Sequence, residues 1–143
     1  MRKSFIIAFI IVIVFAVVFL IIQNINTTKP MTTTDKLNAQ IEKVTSEINS
    51  GKANADNYQN RGLLKYDVQD YKGALEDFAK VKELNKDVIV QTKDINVYID
   101  SANAYVAQKD YKAAMAEYEE ALKIKPNSKR ATKGKAELEA LMK

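Results

Sequence analysis

Ser46 and Ser101 each lie within several residues of a lysine, and a serine with a lysine as its base can act as a nucleophile. Neither neighbourhood carries the rest of such a site. No GxSxG turn, phosphate-binding glycine loop or metal-ligand spacing occurs in the chain. There is no cysteine and no histidine. That removes the thiolate nucleophile, the disulfide framework, the His/Cys zinc site and the commonest general base near neutral pH. The carboxylates are spread along the sequence. No enzymatic activity, cofactor or metal is expected.

One charged feature remains. Lys123, Lys125, Lys129, Arg130, Lys133 and Lys135 follow one another with no acidic residue between them. Such a run could meet anionic lipid, an acidic partner or a polyanionic wall polymer. The bland reading is a solvated cap whose lysines complement a helix C-terminus near Ile124. The net charge of the 143 residues is only +4, and Arg2 and Lys3 supply two of the positives. The overall balance therefore does not point to nucleic acid.

The elements that must position these side chains begin with an apolar run. Phe5 to Ile22 contains no polar residue. As a helix at ~1.5 Å per residue it reaches roughly 27 Å, close to a hydrocarbon core of ~30 Å. Residues 1–4 are read as a cytoplasmic flank, 5–22 as an uncleaved signal anchor and 23–34 as a flexible linker. Arg2 and Lys3 favour an N-in, C-out orientation. The exit "FLIIQNINTT" is bulky where signal cleavage wants small residues. The expected location is the cell (inner) membrane, single-pass, with a periplasmic or extracellular C-terminal domain. Within the linker, Asn26-Thr27-Thr28 matches a glycosylation acceptor.

From Asp35 the pattern is helical. Leu37, Ile41, Val44 and Ile48 make one stripe, and Gly51 fits just past its end. Asp56 is expected to cap a helix to about Val68, and Asp70 to cap one from Tyr71 to about Leu84. Asn85 to Asp87 turns the chain into a helix ending near Gln108, and Asp110 caps Tyr111 to Ile124. A last helix follows Pro126, with Ala136 and Leu138 to Met142 facing inward.

Two segments superpose. Tyr58, Gly62, Tyr66, Asp70, Ala74 and Phe78 match Tyr98, Ala102, Val106, Asp110, Ala114 and Tyr118. Each copy reads as two helices and a tight turn. Small residues at Gly62/Ala102 and Ala74/Ala114 permit a close crossing, and Phe78/Tyr118 fills the wedge beyond it. Such a unit cannot bury its apolar face alone, and stacking a second one does so.

This pattern resembles the tetratricopeptide repeat (TPR) family. Tyr58 to Asp87 and Tyr98 to Asn127 carry its small and aromatic positions together. The resemblance covers about 70 residues, or about 110 with the flanking helices, so residues 35–143 are expected to be an all-α, TPR-like hairpin array behind the anchor. Two departures stand out. The family period is about 34 residues, whereas Asp70 to Asp110 is 40. The insertion, near Val88 to Lys93, is read as an N-terminal extension of the third core helix. Lys65 stands where the family has an aromatic, beside Tyr66.

The resemblance implies that the first helix of each pair lines a concave groove. In register this gives Gln59, Leu63, Tyr66 and Asp67, then Asn96, Ile99, Asn103 and Val106. It implies a protein or peptide partner held by an adaptor or scaffold in envelope assembly, secretion or quality control. Relatives that grip a chaperone's C-terminal carboxylate use Lys, Asn and Arg in this groove. Here the comparable places hold Gln59, Leu63 and Asp100, so that ligand is not expected. The alternative function is homodimerisation without a separate client. A display on a eukaryotic organelle surface, like import receptors of this repeat class, is disfavoured by Arg2 and Lys3.

Overall fold

The structure is a computed structural model and describes residues 12–22 and 30–143. The chain divides into two units, Met1–Thr32 and Thr33–Lys143. In the first, residues 12–22 form a helix, α1, with every residue exposed. No helix among the described residues is long and apolar enough to cross a membrane. The expected flank, the start of the expected anchor (5–11), most of the linker (23–29) and the Asn26 acceptor lie outside the described residues.

The second unit is helical: α2 (Thr33–Glu47), α3 (Ala55–Asp67), α4 (Tyr71–Leu84), α5 (Lys86–Thr92), α6 (Asn96–Ala107), α7 (Tyr111–Ile124) and α8 (Lys129–Leu141). α3 pairs with α4 and α6 with α7. α4 packs on α6, and α2 and α8 close the two ends on α3 and α7. α4 and α7 begin and end where their sequences predict, because each start is built by the same device. The Asp70 carboxylate accepts from the Gly73 N–H at 3.1 Å, and Asp110 from the Ala113 N–H at 3.0 Å. Ahead of each cap the chain turns through a left-handed residue, Gln69 (φ 66°) or Lys109 (φ 63°). The sharp turn brings the second helix back along the first.

The core follows the repeat. Ala74, Phe78, Ala102 and Ala114 are fully buried, and Tyr118 nearly so. A Cβ on Gly62 would stand 2.6 Å from the Phe78 ring, so glycine is what lets α3 lie against that ring. Burying a phenylalanine contributes up to about 3 kcal/mol. The two apolar clusters share Tyr98 and Ile124 at their margins, which joins the repeats into one stack.

Lys65 has a structural explanation. Asp77 is buried on α4, with both oxygens bonded to the Arg61 guanidinium at 2.6 and 2.9 Å and Lys65 Nζ at 2.9 Å. The ammonium occupies the aromatic position because a buried carboxylate needs neutralising there. In the second repeat the same places hold Ser101, Tyr105 and Glu117, and Glu117 is paired instead with Lys82 of α4 at 2.6 Å.

Several expectations are corrected. The cap of α3 is Asn54, whose side chain accepts from the Asn57 N–H at 2.8 Å; Asp56 lies inside the first turn. The insertion does not extend the third core helix. It forms α5, a separate helix beginning at Lys86, with Ile89 turned inward. Left-handed Lys93 (φ 54°) ends it, and Asp94 accepts from the Asn96 N–H at 3.1 Å to start α6. These local side-chain bonds outcompete helix continuation. On α8, Ala131 and Leu138 face inward, while Ala136, Leu141 and Met142 are exposed. Gly134 lies against Tyr118, where a Cβ would stand 2.6 Å from the ring.

Candidate functional site

The predicted groove residues occupy α3 and α6, and the structure distributes most of them over two hollows, while Ile99 borders a third beside Asn96. The larger, 480 Å³, lies between the N-terminal halves of α3 and α6 and includes Gln59, Leu63 and Asn96. The smaller, 330 Å³, lies toward their C-terminal ends and includes Tyr66, Asn103 and Val106. Asp67 is exposed and lines neither. Ile99 is only 3% exposed and packs in the core with Ala102 and Tyr118, so it supports the surface from below and offers little of its own. Its apolar side chain at that register is better served by α7 and α8 than by solvent.

A polar bridge crosses the larger hollow. Gln59 Nε2 donates to Asp100 Oδ2 at 2.9 Å, tying α3 to α6. Arg130, from the start of α8, donates to Asn96 Oδ1 at 3.0 Å and to Asp100 Oδ1 at 3.4 Å. Burial pushes the Asp100 carboxyl above its ordinary range, and Asp94 adds to this, while Arg130 and Gln59 oppose it. In the smaller hollow the Tyr118 hydroxyl donates to Asn103 Oδ1 at 2.9 Å, which orients the amide. Tyr66 stacks edge-on to Tyr71 at 5.3 Å, and burial chiefly raises its phenol pKa.

Three of the five residues of the expected basic patch are ion-paired. Arg130 turns to the cleft, Lys135 pairs with Glu119 at 3.0 Å and Lys133 with Glu137 at 3.5 Å. Lys125 and Lys129 remain exposed, outside the ion pairs. Acidic residues on α6, on α7 and one turn along α8 itself thus pair with part of a run that looks uniform in sequence.

Sequence reasoning missed Asp56, Asp94 and the α5 wall of the cleft, and named Asp100 only as a departure from a carboxylate grip. The signal was available for Asp100. It is four residues from Asn96, so the two share a helix face. The role of Ile89 had no such signal, because it depends on where the insertion breaks.

Residues 95–138 match the family model for a tetratricopeptide repeat. The helical array has the tetratricopeptide-repeat fold. Among solved structures it is similar to the Arabidopsis OM64 TPR domain, at 25% identity and TM-score 0.61, over 72% of this chain and 80% of that one. It is also similar to the first TPR of Spaghetti (RPAP3) bound to the HSP90 peptide SRMEEVD, at 20% identity and TM-score 0.64, over 75% and 80% of the two chains. The second TPR domain of human RPAP3, in complex with the HSP70 peptide SGPTIEEVD, gives 21% identity and TM-score 0.62, over 73% and 82%. No curated protein matches the sequence. In this TPR array the one cation that lines the larger cleft among the described residues, Arg130, is already bonded to Asp100 and Asn96.

Proposed function

We propose that this chain is a membrane-anchored adaptor that holds a segment of another protein in the groove of its TPR array. The observation that carries the reading is the cleft between α3 and α6. It is lined by exposed Leu63 and Asn96, and its polar groups are held in place by the Gln59–Asp100–Arg130 bridge. A preformed hollow with few fixed polar groups suits a peptide segment, because little ordering is left for binding. The TPR structures solved with an HSP90 and an HSP70 peptide support segment binding as a use of this fold. The anchor rests on the uninterrupted apolar run from Phe5 to Ile22, and the outward display on Arg2 and Lys3. Work in envelope assembly, secretion or quality control follows from that placement.

Site-specific photo-crosslinking in cells tests this, with the probe at Leu63 in the larger cleft, at Asn103 in the smaller, and at exposed Lys72 as an outward control. A discrete foreign protein trapped at Leu63 or Asn103 but not at Lys72 is the expected result. Equal trapping at all three removes the groove from the reading. A second reading, homodimerisation without a client, draws on a different observation. Leu84, Val88 and Val90, around the α4–α5 junction, are each more than half exposed. Adducts only between copies of the chain would favour it.

A further inference from the structure

We infer that the cleft between α3 and α6 takes a cationic side chain, lysine or arginine, next to an aliphatic residue of the bound segment. The inference rests on the segment-binding reading and names the chemistry of the segment. Three carboxylates, Asp56, Asp94 and Asp100, line the cleft against one cation, Arg130. Arg130 is engaged by Asn96 and Asp100. Asp56 and Asp94 are exposed and belong to no ion pair among the described residues. One Asp94 oxygen accepts the Asn96 N–H, and Asp94 also borders a neighbouring hollow lined by Lys93 and Lys125.

Burial is the chief cause that pushes the Asp100 carboxyl up, and Asp94 adds a smaller repulsion. A bound cation would relieve that repulsion, whereas an acidic segment would add to it. The apolar surroundings fit the same ligand. Leu63 is 41% exposed at the cleft, and α5 contributes Ile89 as a wall. A lysine or arginine stem can lie along these side chains while its head reaches Asp56 and Asp94. α5 is the insertion that lengthens this repeat, so the wall is particular to this chain's spacing.

The test selects a phage-displayed library of random twelve-residue peptides on the immobilised full chain in detergent. Synthetic amidated copies of the winners are then titrated by fluorescence anisotropy. The expected winners place Lys or Arg beside Leu, Ile or Val. With Asp56→Asn and Asp94→Asn together, Kd rises about fivefold, the loss of two partly exposed ion pairs. An unchanged thermal melt of this variant would show that the fold is intact. Winners that are acidic, or cationic winners indifferent to the double substitution, would overturn the cationic inference while keeping the segment-binding groove. No selection above the blank surface would overturn both. Sedimentation of the full chain completes the test. A salt-sensitive dimer lost in the same variant would assign the cleft to the lysine-rich run of a second copy and overturn the partner-segment assignment.

Discussion

At the scale of single residues, the helix crossings are controlled by side-chain volume. Gly62 sits mid-helix, where alanine would ordinarily gain about 1 kcal/mol from propensity. Here the added methyl would meet the Phe78 ring at 2.6 Å, and that ring is fully buried with nowhere to swing. Overpacking of this kind costs about 1–3 kcal/mol. Gly62→Ala is therefore expected to lower stability by up to about 2 kcal/mol in urea unfolding, and a stabilised variant would contradict the packing. Asp100 makes a different prediction. Its folded-state pKa is raised, chiefly by burial. The folded state therefore binds its proton more tightly than the unfolded chain does, and stability falls as pH rises from the ordinary value of 3.8 through the raised one. Asp100→Asn abolishes this dependence. The stability of the variant relative to the parent should thus rise between acid and neutral pH. Urea melts across that range check it, and a flat or falling difference would mean that Asp100 is not held up by its surroundings.

At the scale of elements, the repeated turn and the small-residue crossings were legible in the sequence. A capping aspartate and an alanine-to-aromatic spacing report local geometry directly. That is why α4 and α7 appear with their predicted limits. α5 was not legible. Val88, Ile95 and Tyr98 keep helical phase across the insertion, and only the Thr92–Asp94–Asn96 side-chain bonds and left-handed Lys93 show that the helix breaks. The division of the groove was hidden for a related reason. Which face of α6 meets solvent depends on α8, whose contacts claim Ile99 for the core. Since the crossings carry the fold, Ala74→Arg or Ala114→Arg should abolish the cooperative thermal transition. Both positions are fully buried between helices, and an arginine there is oversized and left unpaired. A transition that survives in both variants would mean that the helices do not cross at these alanines. Lys72→Arg on the exposed face of α4 should leave the melt unchanged.

At the scale of the whole molecule, the apolar N-terminal run and the TPR array fall in separate units. The array covers most of its apolar faces, because α2 and α8 close the ends of the stack, while Leu84, Val88 and Val90 stay exposed. The run has no such cover among the described residues, where Val12 to Ile22 are exposed throughout. Leu, Ile, Val and Phe each favour the bilayer centre by roughly 0.3–0.6 kcal/mol, so the run as a whole favours insertion by several kcal/mol. One aspartate near the centre opposes this by roughly 3 kcal/mol, and two should offset most of it. The full chain is accordingly expected to stay with the membrane fraction after an alkaline wash. Val14→Asp with Val18→Asp, one turn apart on α1, should move it to the supernatant with the far-UV helical signal of the array retained. If the parent chain washes off as readily as the variant, the run is not an anchor.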